Sequence, residues 1–276
     1  MTVLGLGLAL FVGLSLGLLG GGGSVLTVPI FVYVMGFEAK QAIAMSLIVV
    51  GAASLVGAAR HWRAGRVDLG VAVSFGLVAM AASFAGARVA KFVSGSTQLL
   101  LLALVMCCAA ISMARSPRSN APDPDAGGFD GPAGPPSALR LMPVAIGVGI
   151  LTGLVGVGGG FLIVPALVLL GRVPIKLAIG TSLLVIAMNC MAGIVGYLGH
   201  VTMPWDVVGL FTVVAIGGLF AGSHLVGIVS PASLRRGFAV LLMCVGTFVL
   251  VQNWHVLAGA ASAGFGRAPS WHPGKA

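Results

Sequence analysis

The chain has 276 residues, 58% of them hydrophobic and only 8% charged, with a mean hydropathy of +1.11 and a formal net charge of +9. A soluble globular domain carries about 25% charged residues, so this composition excludes a soluble enzyme, a disordered protein and a disulfide-stapled secreted domain. It leaves an all-α polytopic membrane protein, in which Lys and Arg held on cytoplasmic loops account for the basic excess.

Five apolar segments come first, at roughly 3–19, 24–36, 41–59, 68–88 and 97–114. No basic stretch precedes the first, so it reads as a membrane segment and not as a cleavable signal. Residues 115–139 then break the pattern with six prolines, four glycines and three aspartates. Nothing there can pack, and the stretch reads as a flexible linker. Five more apolar segments follow at roughly 141–157, 161–171, 177–199, 205–227 and 234–252. The expected organisation is a first transmembrane repeat over 1–114, the linker over 115–139, a second repeat over 140–252 and a flexible tail over 253–276. The second segment of each half is short. At about 1.5 Å per residue it falls well below the ~30 Å hydrocarbon core, which predicts half-helices or re-entrant pieces. Pro29 and Pro165 lie inside them and are expected to bend them.

The halves repeat each other. Gly17 to Pro29 (GLLGGGGSVLTVP) lies over Gly153 to Pro165 (GLVGVGGGFLIVP) with eight of thirteen positions identical, at an offset of 136. The same offset places Ala42 to Leu47 over Ala178 to Leu183, and Phe84-Ala-Gly86 over Phe220-Ala-Gly222. If every segment crosses, the loops sort the basic residues ten against five; if the first two segments of each half form one broken span, the split is eight against seven. The positive-inside rule favours the first arrangement. Five segments per half then make the halves inverted relative to each other, with the linker cytoplasmic, a recurring design in secondary transporters.

The glycine runs, Gly20 to Gly23 and Gly156 to Gly160, interrupt helix at membrane depth. Irregular backbone is tolerated there only where protein buries it or a watery cavity is lined. A half-helix starting at Gly22, Gly23 and Ser24, or at Gly158, Gly159 and Gly160, would aim free N–H groups at an anion. The rival reading is close helix packing through small residues. Ser46, Thr181, Ser182 and Asn189 are polar residues inside apolar segments, which face a bundle interior by rule. Ser46 and Ser182 share a repeat position and are candidate donors to an anionic oxygen; a hydroxyl bonded back to its own helix is their rival reading. All six acids lie in the linker or near segment ends, so no carboxylate relay is available at mid-membrane. His61, His200, His224 and Arg88 are candidates for gating or proton-linked roles. Arg60-His61-Trp62-Arg63 reads as a cytoplasmic anchor. The four cysteines lie in apolar segments and form no metal or disulfide pattern. No lysine follows a glycine run and Phe161 breaks the dinucleotide fingerprint, so nucleotide binding is excluded.

The duplicated G-x-x-G-x-G-G-[SG]-x-x-x-x-P pattern, the two Ala-x-[AG]-x-Ser-Leu stretches and the Gly65-Arg-Val-Asp68 loop resemble the sulfite exporter TauE/SafE family, also called toluene sulfonate uptake permeases. The resemblance covers both halves. It implies a bacterial inner-membrane permease for sulfite or an organosulfonate, working by alternating access. The residues alone imply an anion site and leave sulfur open; chloride or a carboxylate would suit the same donors. An intramembrane enzyme is a weaker alternative, since Ser24 has no evident His or Lys base in a neighbouring segment. The expected partners are a small anionic substrate and the lipid bilayer, with a homodimer admissible and no nucleic acid. No cofactor, metal or catalytic residue is expected.

Overall fold

The computed structural model describes residues 3–115, 138–156, 158–169, 173–197, 201–225 and 231–254. Among these residues ten α-helices follow one another: α1 (Val3–Leu19), α2 (Ser24–Pro29), α3 (Ala39–Arg63), α4 (Leu69–Ala90), α5 (Gly95–Arg115), α6 (Ala138–Val155), α7 (Gly160–Leu169), α8 (Ile175–Tyr197), α9 (Trp205–Leu225) and α10 (Pro231–Gln252). The described residues contain no strand. Helices α3, α4, α8 and α9 are long and apolar enough to cross a membrane. Residues 116–137 and 255–276, which hold nearly all of the expected linker and tail, lie outside the described residues, as does His200.

The expected short second segments are present. Helix α2 runs six residues and passes at Pro29 into a π-helical turn, Ile30–Val34. Pro29 offers no N–H to the α ladder, and the wider register begins immediately after it, closing with Met35 N–H on the Ile30 carbonyl at 3.1 Å. Helix α7 runs ten residues and continues past position 165. The Arg60 to Arg63 anchor is the last turn of α3. Asn253, placed in the tail on composition, is buried and donates to the Tyr33 hydroxyl at 2.7 Å and the Val249 carbonyl at 2.9 Å.

Glycine decides which helices touch. A Cβ on Gly13 would lie 1.8 Å from the Ala215 carbonyl oxygen, and one on Gly17 2.3 Å from that of Leu219. From the other side, Gly218 and Gly222 lie against the Leu10 and Leu14 carbonyls. Helices α1 and α9 therefore run parallel with their backbones in direct contact, as small-xxx-small spacing allows. The α6–α4 contact has the same construction: Gly149 and Gly153 meet the Ala79 and Ser83 carbonyls, and Gly86 meets that of Ile150. Each of these residues is the 136-offset counterpart of one in the α1–α9 contact. Helices α3 and α8 cross in opposite directions, with Gly51 at Cys190, Gly57 at Leu183 and Leu47 at Gly193. Around this core the surface is apolar, with Leu55, Leu77, Val213 and Val240 all more than half exposed. Patches of that kind suit lipid and not water.

Candidate functional site

The two glycine loops meet at the α3–α8 crossing. Gly21 and Gly160 are in backbone contact, each under Ile186, and Gly158 lies among Val50, Ile186 and Ser24. Gly20 and Gly156 hold φ of 63° and 73°, the left-handed region that other L residues rarely adopt. A Cβ on Gly20 would reach 2.7 Å from Ile179, and one on Gly156 2.7 Å from Ile43.

Each loop is fastened by a serine of the opposite half. The Ser46 hydroxyl donates to the Gly156 carbonyl at 2.7 Å and shares that proton with Ile43 in its own helix, also at 2.7 Å. The Ser182 hydroxyl donates to the Gly20 carbonyl at 3.0 Å and to Ile179 at 2.8 Å. A serine has one proton to give, so in this conformation both hydroxyls hold backbone. Each carbonyl taken belongs to the left-handed glycine that follows its helix, past the end of the α ladder.

Ser24 is fully buried, and its hydroxyl donates to the Gly21 carbonyl at 2.8 Å. Its N–H turns to the same carbonyl at 3.3 Å, while Val25 and Leu26 N–H turn to Gly22 and Gly23 at 3.5 and 3.2 Å. The first N–H groups of α2 thus make long, weak internal bonds. Gly23 packs on Val12, Ser15 and Leu16, and Gly159 on Val148 and Thr152. The Thr181 hydroxyl accepts the Asp68 N–H at 3.0 Å. That bond seats the turn between α3 and α4 on the start of α8.

Asn189 stands apart. It is fully buried, and neither its amide oxygen nor its amide nitrogen has a hydrogen-bond partner. Its backbone carbonyl accepts from Ser83 at 2.9 Å. Thr27 and Ser54 are likewise fully buried with unpartnered hydroxyls. Ser54 was missed by sequence reading, because a serine in an apolar helix with small neighbours carries no signal of its own.

The three ionisable candidates lie at helix ends. The Arg60 guanidinium donates to the Ser223 hydroxyl and lies over the Phe220 ring, 5.7 Å from its centroid. His61 beside it is half-buried, with Nδ1 unpartnered. His224 is exposed at this same end. Arg88 is exposed at the opposite end, 5.0 Å over the Phe84 ring of its own helix. None of the three reaches the glycine loops. Among the described residues no group of His, Cys, Asp or Glu could hold a metal ion.

A family model described as sulfite exporter TauE/SafE matches residues 5–249. The chain belongs to the sulfite exporter TauE/SafE family. A probable membrane transporter protein of Xylella fastidiosa is 34% identical over 250 residues, covering 88% of this chain and 92% of its own. One from Methanocaldococcus jannaschii is 26% identical over 272 residues, covering 88% and 95%. No solved structure matches the chain. It is a membrane transporter. In this TauE/SafE transporter the family's duplicated glycine motif forms the meeting point of the two halves, and the motif serines Ser46 and Ser182 fasten it.

Proposed function

We propose that this transporter is a multi-pass protein of the bacterial inner membrane that moves a small sulfur-containing anion, sulfite or an organosulfonate, by alternating access. Its halves are inverted, with the linker cytoplasmic. Opposed repeat-equivalent helices support this topology: α3 and α8 are counterparts at an offset of 136 and run antiparallel through the centre. The substrate sits where the glycine loops meet.

The observation that carries the reading is a set of fully buried, unpartnered polar groups, Asn189, Thr27 and Ser54, each within one helical turn of a residue that touches the loops: Ile186, Ser24 and Val50. Buried polar groups are nearly always hydrogen-bonded, and a transport substrate is the partner that a carrier must both bind and release. Amide and hydroxyl donors suit an oxyanion without a buried Lys or Arg. The Ser46–Gly156 and Ser182–Gly20 bonds hold the two halves closed over this site from both directions. Opening to either side parts one of them.

Uptake into proteoliposomes tests the proposal. Sulfite, thiosulfate, taurine, sulfoacetate, chloride and acetate are offered with and without a pH gradient. Saturable movement of the sulfur anions alone is expected. Movement of chloride or acetate instead would retain the anion site and discard the sulfur substrate.

A further inference from the structure

The site has a chemical asymmetry that its backbone lacks. Asn189 lies on the face of α8 that carries Ile186, Cys190 and Gly193, which meet the glycine loops and α3. Its counterpart at an offset of 136 is Ala53, also fully buried. The centre of the molecule therefore holds one carboxamide and not two. That carboxamide has both a donor end and an acceptor end, and both are unpartnered. In the orientation described, the amide oxygen meets no protein donor and the amide nitrogen no protein acceptor.

A ligand that satisfies Asn189 must therefore supply an acceptor and a donor together. An anion with acceptors only, such as chloride or a simple alkylsulfonate, can take the amide N–H. It leaves the amide oxygen facing negative charge with no proton between. The buried polar side chains among the described residues are Ser, Thr, Gln and Asn, with no carboxylate and no cation to make up the difference.

We propose that the ligand of this site is an oxyanion carrying its own hydrogen-bond donor, and that Asn189 recognises both parts, its amide N–H taking the oxyanion and its amide oxygen taking the donor. The inference rests on the transport reading above and narrows it. Two kinds of molecule share this chemistry: an acid oxyanion such as hydrogensulfite, and a sulfonate bearing a hydroxyl or amino group. In the first, the substrate brings the proton for which the membrane interior offers no carboxylate.

The test is calorimetric titration of the purified full-length protein. The probes are ethanesulfonate, 2-hydroxyethanesulfonate, 2-aminoethanesulfonate and sulfite, the last at a pH favouring hydrogensulfite and at one favouring the dianion. At least one donor-bearing probe is expected to bind about tenfold or more tightly than its donorless partner, the scale of one hydrogen bond to a charged group. The hydroxyl, amino and acid-proton arms separate the two kinds of molecule. In Asn189→Leu that preference falls to about twofold or less, because the donor-bearing probe loses both amide contacts and ethanesulfonate only the N–H. Asn189→Ala, which copies Ala53, repeats the loss and guards against a folding defect in the larger substitution. Removing an unpartnered buried amide also raises the Tm of the ligand-free protein by about 2–4 °C. Equal binding of each donor-bearing and donorless pair by the wild type overturns the proposal, as does a preference that survives both substitutions. If the wild type binds none of the sulfur probes yet moves chloride or acetate, the sulfur substrate proposed above is discarded while the anion site is retained.

Discussion

The two glycine loops and the two outer helix ends form a contrast. At the loops the halves do the same thing twice: Ser46 holds Gly156 and Ser182 holds Gly20, with the same left-handed glycine under each. At the ends they diverge. Arg60 bonds Ser223 and covers Phe220, but the counterpart of Arg60 is Gly196, which packs straight onto Ala87. The Phe84 ring there is covered by Arg88 from its own helix. Backbone contacts tolerate almost no change of atom, so both copies keep them. Side chains at the ends carry few such demands, so the halves differ there.

Substitutions that enforce or remove this likeness can break the comparison. The largest effect is expected at the parallel helix contacts. Gly153→Val and Gly13→Val each drive side-chain carbon into a facing carbonyl and should each cost about 3 kcal/mol or more, seen as loss of folded protein in size-exclusion chromatography. If only one of the pair is damaging, the two contacts are not equivalent. Next come Gly20→Ala and Gly156→Ala, each expected to cost about 2 kcal/mol from the left-handed backbone, read from thermal melts. Ser46→Ala and Ser182→Ala should each cost about 1 kcal/mol by freeing a buried glycine carbonyl. Equal Tm shifts with opposite changes in cysteine labelling from the two membrane sides would sharpen the comparison into a pair of gates. The smallest effects are at the ends. Arg60→Gln should lose about 1 kcal/mol, and Arg88→Gln less than about 0.5 kcal/mol, since it is exposed and touches only its own helix. A larger loss at Arg88 in melting experiments would contradict that ranking.

Much of this was legible in the sequence, for reasons that also mark the limit. Apolar run length gave the ten segments in order, and the shortness of 24–36 and 161–171 announced the two half-helices. Self-comparison at one offset paired the glycine runs. The Gly13-x-x-x-Gly17, Gly149-x-x-x-Gly153 and Gly218-x-x-x-Gly222 spacings were there to be read. Their partners were not, because what each glycine meets is a carbonyl, and every residue has one. Ser46 and Ser182 were read as a matched pair of anion donors, but the acceptors they hold in this conformation are again main-chain oxygens of the other half. Thr181 was read as part of the binding site, and the bond its hydroxyl makes here, accepting the Asp68 N–H, could not be read from the sequence. The π-helical turn after Pro29 left no trace beyond the proline itself. Asn189 was legible for the opposite reason, since an amide in an apolar run is conspicuous before any contact is known.

The parallel contact of α1 with α9 has a consequence for how the protein is made. Gly13 and Ala215 touch, yet 202 residues (215 less 13) separate them along the chain. At about 5–20 residues per second of synthesis, α1 waits on the order of 10–40 s for its partner to emerge. Throughout that interval its glycine face has only lipid or a chaperone against it. A helix made well before its partner is therefore among the last to be locked in place, and slowing translation between α1 and α9 should lengthen the window in which the nascent protein is lost to proteolysis.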